Sequence, residues 1–149
     1  MNNPMNNEAT KLMYEVALYR EQLNMLQKEM ERVSLTAVDL NNAIKTVENI
    51  DEKDMMIPIG GGSFMKATVT DATLVVPVGA QYLRDMKKDD ALSELQRRRE
   101  ATKKAIEKLE AEFKKIAAKF QQVSGQLKNM EARAKISKTV DENLGEDYI

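Results

Sequence analysis

The chain has 149 residues, 42% of them apolar and 32% charged, and its 23 basic and 24 acidic side chains leave a formal net charge of −1. Because it contains no cysteine and no histidine, disulfides, zinc sites of the Cys/His kind and Ser-His-Asp or Cys-His catalysis are excluded. A net charge near zero provides no overall field to attract nucleic acid or an anionic membrane.

The start of the chain and its apolar runs bear on location. Residues 1–7 lack the charged and apolar stretches of a secretion signal. The longest apolar run, from Leu74 to Ala80, is far too short to span a bilayer. With no cysteine to suggest an oxidising compartment, we expect a cytoplasmic protein.

Residues 8–51 contain neither glycine nor proline and are predicted to form a long helix. Apolar residues recur there in alternating steps of three and four, which is the narrow stripe of a coiled coil. Charged residues occupy the remaining faces, as expected for a helix in water. The stripe comprises Leu12, Val16, Tyr19, Leu23, Leu26, Met30, Val33, Ala37, Leu40, Ile44 and Val47.

Residues 55–84 are predicted to form two β-hairpins, because apolar residues alternate at period two and glycines mark the turns. A short repeat supports this interpretation. Ile57-Pro58-Ile59-Gly60 precedes Phe64-Met65-Lys66 as Val76-Pro77-Val78-Gly79 precedes Tyr82-Leu83-Arg84, with a first loop one residue longer. Each proline marks an edge position, since proline cannot donate to a strand ladder.

Residues 85–139 are predicted to form a second helix with the same kind of stripe, and residues 140–149 a tail. Arg99 and Thr102 are the only polar residues in its register, and they indicate a stutter or a flared end. The apolar members are Leu92, Leu95, Ile106, Leu109, Phe113, Ile116, Phe120, Val123, Leu127, Met130 and Ala134.

These elements predict a single domain that is mainly α with a small β part. Its architecture is an antiparallel two-helix coiled-coil hairpin with two β-hairpins at the bend, and the arm is about 50 Å long at 1.5 Å per residue. Isolated hairpins are marginal in water, so we expect them to pair with other subunits. The free end of the arm carries apolar residues with no evident partner: Met1, Met5, Met13, Ile136, Val140, Leu144, Tyr148 and Ile149.

The order of helix, two hairpins and helix resembles an α-class subunit of the archaeal prefoldin family over essentially the whole chain. Two segments carry the resemblance, because they are similar to that family's hairpin segments. They are Met56-Ile57-Pro58-Ile59-Gly60-Gly61-Gly62-Ser63-Phe64 and Val75-Val76-Pro77-Val78-Gly79. Two hairpins rather than one resemble the α class rather than the β class.

The resemblance implies an ATP-independent chaperone with no catalytic, cofactor or metal site. In prefoldins, two α-type and four β-type subunits join through their hairpins into a β-barrel platform, and the tips of the arms hold non-native polypeptides for a group II chaperonin. The implied oligomerisation residues are Ile57, Ile59, Phe64, Met65, Val69, Leu74, Val76 and Val78. The implied client-binding residues are Met5, Leu12, Met13, Ile136, Val140, Leu144 and Tyr148.

Other interpretations of the same features stay open. A related archaeal subunit assembles with itself into filaments, and a coiled-coil scaffold is the corresponding alternative function. The run Arg97-Arg98-Arg99 could touch phosphates, although acidic neighbours offset it and no aromatic residues interleave. The run Gly60-Gly61-Gly62 lacks the Lys-Ser/Thr of a phosphate-binding loop and indicates a tight turn. Paired helices enclose no pocket for an enzyme.

Overall fold

The structure is a computed structural model that describes residues 4–50 and 54–146. Its elements are the helix α1 (Pro4–Asn49), the strands β1 (Asp54–Gly60), β2 (Ser63–Thr68), β3 (Leu74–Gly79) and β4 (Tyr82–Met86), and the helix α2 (Lys88–Glu146). The element order predicted from the sequence is confirmed. The chain divides into two compact units, the hairpin unit (Arg32–Ile106) and the terminal unit (Met1–Glu31 with Glu107–Ile149). No helix in the described part is apolar enough to cross a membrane.

Both helices are longer than the sequence pattern predicted. α1 begins at Pro4 instead of residue 8, and proline suits the first turn of a helix because its missing N–H would have no helical partner there. α2 continues through Glu146 instead of ending at 139, so the tail predicted from residue 140 is helical up to that point. No proline or glycine lies between Gly125 and Gly145 to stop it.

The two predicted stripes coincide with the covered faces of the helices. Every apolar position of either stripe is buried or half-buried, and so are Arg99 and Thr102. This burial is what a coiled-coil seam requires, because each seam side chain packs between residues of the facing helix. The interpretation of the 3-4 spacing as a pairing surface is therefore confirmed.

In the terminal unit, α1 and α2 run antiparallel. The guanidinium of Arg20 lies 5.9 Å from the centroid of the Phe120 ring, a favourable cation–π contact. Closer to the chain ends, Leu12 lines one groove with Met130. Higher residue numbers in α1 therefore lie opposite lower residue numbers in α2, as in an antiparallel pair.

The hairpin unit has its core where the helices meet the second hairpin. Leu40, Ile44, Val47 and Leu95 are buried together, and Ala43, Leu74 and Leu92 pack against them. β3 therefore docks on the helices through Leu74. The Nζ of Lys88 donates a 3.0 Å hydrogen bond to the backbone carbonyl of Glu48, which joins the start of α2 to the end of α1.

The four strands form two separate antiparallel pairs, β1 with β2 and β3 with β4. Pro58 lies opposite Phe64 and Pro77 opposite Leu83, and in each hairpin the register shifts just before the turn. Each loop then contains two residues, so the prediction of a longer first loop was wrong. When the two hairpins are compared by register, Phe64 is equivalent to Leu83 and not to Tyr82. The two aromatic residues therefore occupy different positions in the two hairpins.

Both turns have positive φ at their two central residues, as a two-residue type I′ loop requires. The first turn uses Gly61 (φ 59°) and Gly62 (φ 75°), which adopt this region without a steric penalty. The second uses Ala80 (φ 46°) and Gln81 (φ 65°). Their side chains make the left-handed region costly, by roughly 1–2 kcal/mol per residue. The same backbone turn is therefore relaxed in the first hairpin and strained in the second.

Gly125 and Gly61 form a matched pair for testing whether the backbone conformation at a position requires glycine. At both positions an added Cβ meets nothing within 4 Å, but Gly125 is helical and Gly61 has a φ of 59°. We expect Gly125→Ala to raise the free energy of unfolding by about 1 kcal/mol, because alanine favours a helix interior. We expect Gly61→Ala to lower it by a similar amount, because alanine disfavours the left-handed region. Thermal unfolding measures both, and shifts of the same sign would contradict this account.

Candidate functional site

Most of the exposed large apolar side chains fall into two groups, each within one unit, which we call the hairpin surface and the terminal surface. The hairpin surface comprises Met56, Ile57, Ile59, Phe64, Met65, Val75, Val78, Tyr82 and Leu83. The terminal surface comprises Met5 and Met13 of α1 and Ile136, Val140 and Leu144 of α2. Patches of exposed apolar side chains mark interaction sites in soluble proteins.

The hairpin surface combines apolar side chains with open strand edges. Each hairpin has only two strands, and the two hairpins do not pair with each other among the described residues. Ile59 and Val78 are the extra residues at the register shifts, and both are exposed. Since an exposed apolar edge is a template for strand pairing, this surface is suited to joining another subunit.

The structure divides the eight predicted oligomerisation residues into two groups. Ile57, Ile59, Phe64, Met65 and Val78 are exposed on the hairpin surface. Val69 follows the end of β2 and is half-buried, as is Leu74, while Val76 is only 5% exposed. Leu74 and Val76 share the face of β3 that is turned inward, so the neighbouring Val75 is the exposed residue. Alternation in the sequence reveals two faces but not which of them faces the core.

In the terminal surface, the α2 residues Ile136, Val140 and Leu144 follow one another in steps of four. This spacing places them on one face of the helix, and they are 65%, 50% and 59% exposed. Every α2 residue from 135 to 144 is exposed, in contrast to the stripe that ends at Ala134. Apolar side chains thus continue to recur along α2 beyond Ala134, although the helix is no longer covered there.

The antiparallel pairing explains why coverage stops there. Arg20 meets Phe120 and Leu12 lies beside Met130, and continuing this register brings the first residues of α1 level with residues near 136 of α2. Since α1 begins at Pro4, the described residues of α1 provide no helical partner beyond that level. The exposure of Val140 and Leu144 follows from this, since among the described residues only α2 extends past that level.

The predicted client-binding residues are also divided by the structure. Met5 and Met13 are more than half exposed. Leu12 is half-buried and lines a groove of about 260 Å³ with Glu8, Met130 and Arg133 among others, so it belongs to the paired faces. Tyr148 lies outside the described residues.

An additional apolar stripe on α1 was missed by the sequence analysis. Tyr14, Leu18 and Met25 are exposed, and their spacing of four and seven residues places them on α1 outside the seam positions. We call these three residues the outer stripe. Met25 also lines a groove of about 470 Å³ together with Leu26 and Ile116. The heptad spacing of the outer stripe was readable in the sequence, but the dominant seam obscured it.

The basic run on α2 is engaged by a carboxylate. Arg97 donates hydrogen bonds of 2.9 and 2.7 Å to Glu94, and Arg98 donates one of 3.1 Å. The hydrogen bond from Arg97 is the main reason why the pKa of Glu94 is lowered to about 2, and the same contact raises the pKa of Arg97. Two of the three arginines are thus committed to an ion-pair cluster on their own helix, which favours a structural role over contact with phosphates.

The polar and acidic side chains of the described residues lie mainly at the surface. No polar or charged side chain among them is buried, and no three acidic side chains there lie close enough to hold a metal ion. Catalytic groups usually owe their reactivity to burial or to charged neighbours in a cleft. The large pKa shift of Glu94 instead arises from surface arginines of the same helix.

Comparison with known proteins identifies the family. A family model described as prefoldin subunit matches residues 19–133. The chain belongs to the prefoldin family. The prefoldin subunit alpha of Pyrococcus horikoshii is 31% identical over 131 residues, which cover 79% of this chain and 88% of the relative. The prefoldin subunit alpha 1 of Methanocaldococcus jannaschii is 31% identical and covers 70% of this chain and 84% of its own.

Solved structures of prefoldin proteins share the fold. The prefoldin beta subunit from Thermococcus strain KS-1 matches with a TM-score of 0.62 at 20% identity, over 87% of this chain and 96% of that one. Filamentous PFD from Methanocaldococcus jannaschii matches with a TM-score of 0.61 at 20% identity, over 76% of this chain and 98% of that one. Prefoldin subunits are chaperones, and the family assembles alpha and beta subunits into hetero-oligomers.

The Glu94 cluster gives a pH-dependent prediction. Because the pKa of Glu94 is lowered from 4.5 to about 2 in the folded chain, its ion pairs contribute fully to stability above pH 4.5, and the contribution is lost as the pH falls toward 2. We expect Glu94→Gln to lower the melting temperature slightly at neutral pH, since surface ion pairs are weak. The difference from the wild type should shrink steadily on acidification, and a difference that grows would contradict the assignment.

Proposed function

We propose that this chain is an α-class subunit of an ATP-independent prefoldin chaperone. It joins β-type subunits through the hairpin surface, two α-class with four β-type subunits around a β-barrel. It holds non-native polypeptides on the terminal surface and passes them to a group II chaperonin in the cytoplasm. The similarity to alpha subunits over most of the chain supports the class.

One observation carries the client-binding part of the proposal. Ile136, Val140 and Leu144 form an apolar face at the end of α2 that no described residue covers. Keeping such a face in water is unfavourable, because each large aliphatic side chain gains about 1.5–3 kcal/mol when it is buried. A non-native polypeptide exposes the apolar segments that can provide this burial.

The composition of the terminal surface suits clients that share no sequence. Met5 and Met13 have flexible, polarizable side chains that adapt to different apolar partners. Each arm then needs only weak affinity, because several arms in one assembly raise the effective concentration of binding sites. Release by transfer to a chaperonin requires no nucleotide at this subunit.

The client-binding role is tested with a matched pair of double variants. We expect Val140→Ser with Leu144→Ser to weaken suppression of client aggregation, because two apolar contacts are removed from every such arm. Light scattering of a chemically denatured client, diluted into the assembled complex, measures the effect. The chaperone concentration for half suppression should rise by about tenfold, which corresponds to about 1.4 kcal/mol.

Leu35 and Val38 provide the control. They are also exposed, at 71% and 57%, but they belong to the hairpin unit and not to the terminal unit. Leu35→Ser with Val38→Ser removes the same two side-chain types and should leave suppression near the wild-type level. Equal loss in both double variants would mean that general surface hydrophobicity, and not the terminal surface, holds the client.

The oligomerisation role is tested at the first hairpin. We expect Ile59→Asp with Phe64→Asp to prevent assembly with a β-type subunit, because each buried carboxylate without a partner costs several kcal/mol. Native mass measurement after mixing the two subunits reads the result, and circular dichroism verifies that the helices persist. Thr70→Asp with Ala72→Asp, at two exposed positions between β2 and β3, adds the same two charges and should still assemble.

Self-assembly into filaments is the second candidate function. The observation that favours it is that both hairpins of one chain leave their edges open, so copies of this chain could join end to end. The native mass of the chain alone distinguishes the candidates. Large, open-ended species support the filament, whereas small species that grow only with a β-type partner support the hetero-oligomer.

A further inference from the structure

The methionines of this chain fall into two classes by exposure. Of the ten, Met5, Met13, Met25, Met56 and Met65 are each more than half exposed. Met30, Met55, Met86 and Met130 are half-buried, and Met1 lies outside the described residues. Three of the exposed methionines are concentrated in the α1 part of the terminal unit, where they make up part of the terminal surface and of the outer stripe.

We propose that Met5, Met13 and Met25 are modification sites for oxidants of the peroxide class, and that their conversion to sulfoxides weakens the hold on clients. The inference rests on the proposed function, since it assigns a chemical control to the surface that binds the client. It extends that surface along α1 to Met25.

The reaction is an oxygen-atom transfer. A lone pair of the thioether sulfur attacks one oxygen of hydrogen peroxide and the O–O bond breaks. The departing hydroxide takes the proton from the oxygen that is now bound to sulfur, which gives water and the sulfoxide. The sulfur is oxidised to the sulfoxide while the peroxide is reduced, so atoms and electrons balance. The reaction needs solvent access to the sulfur, which the exposed methionines provide and the half-buried ones restrict. Dithiol-dependent reductases reverse it.

The amino-acid composition directs the oxidant to these residues. Cysteine is the usual first target of peroxide in proteins, and this chain has none. A sulfoxide replaces a flexible apolar side chain with a polar one, which removes the property that suits Met5 and Met13 to varied apolar clients. The hairpin methionines Met56 and Met65 would be covered once the hairpin surface is joined to other subunits, so assembly should protect them.

The test treats the assembled full-length complex with hydrogen peroxide and reads the oxidation of each methionine by peptide mass spectrometry. We expect Met5, Met13 and Met25 to be oxidised before Met30 and Met130. Met56 and Met65 should be oxidised quickly in the isolated subunit and slowly in the complex. The chaperone concentration for half suppression of client aggregation should rise by about threefold or more on oxidation, which corresponds to more than about 0.6 kcal/mol, and a methionine sulfoxide reductase should restore the starting value.

Variants are compared as the ratio of oxidised to untreated activity, so that any change in basal activity cancels. The triple variant Met5→Leu, Met13→Leu, Met25→Leu should keep a ratio near one after peroxide. Met30→Leu with Met130→Leu, which changes half-buried positions, should lose activity on oxidation as the wild type does. Leucine is chosen because it conserves volume and apolar character.

Two results would overturn the inference. One is a wild type that holds clients normally after Met5, Met13 and Met25 are fully oxidised. The other is a triple leucine variant that loses as much activity on oxidation as the wild type. If instead the untreated complex fails to hold clients at all, the proposed function itself is refuted, together with the consequence assigned to oxidation.

Discussion

The structure depends on the pairing of two apolar stripes, one on each helix. Because the stripes repeat in steps of three and four, they form a seam that is covered only while both helices are present side by side. In the terminal unit this holds as far as Ala134 of α2, and beyond it the same apolar spacing continues through Leu144 without cover from any described residue. The candidate binding surface therefore continues the apolar spacing of the seam past the residues of α2 that the described part of α1 covers.

The second constraint is that a sheet of only two strands cannot provide hydrogen-bonding partners for both edges of each strand. Each hairpin satisfies one edge of each strand and leaves the other edge open, and the apolar side chains of the first hairpin are exposed on both faces. Assembly provides what the single chain lacks, namely partners for the edges and cover for the side chains. The chain thus has one surface completed by stable partners and another that suits transient ones.

Much of this could be predicted from the sequence, because periodicity reports directly on which faces are covered. Both stripes, the two hairpins and the uncovered run from Ile136 to Leu144 are visible in the spacing of apolar residues. The inward face of β3 could not be predicted, since alternation does not distinguish Val75 from Val76. The equal length of the two loops was missed because the aromatic residues Phe64 and Tyr82 invited the wrong alignment. The start of α1 was placed too late and the end of α2 too early, since neither Pro4 nor residues 140–146 oppose helix formation.

The strained turn at Ala80 and Gln81 has a consequence for the order in which the chain folds. A loop that disfavours its own conformation cannot start a hairpin from local sequence alone, so β3 and β4 must draw on the docking of Leu74 against the helices. The glycine loop of β1 and β2 has no such requirement. We therefore expect the first hairpin to acquire its shape early and the second to form only after the helices have met. In a pulsed hydrogen-exchange experiment, amides of the second hairpin that are protected before those of α1 and α2 would rule out this sequence of events.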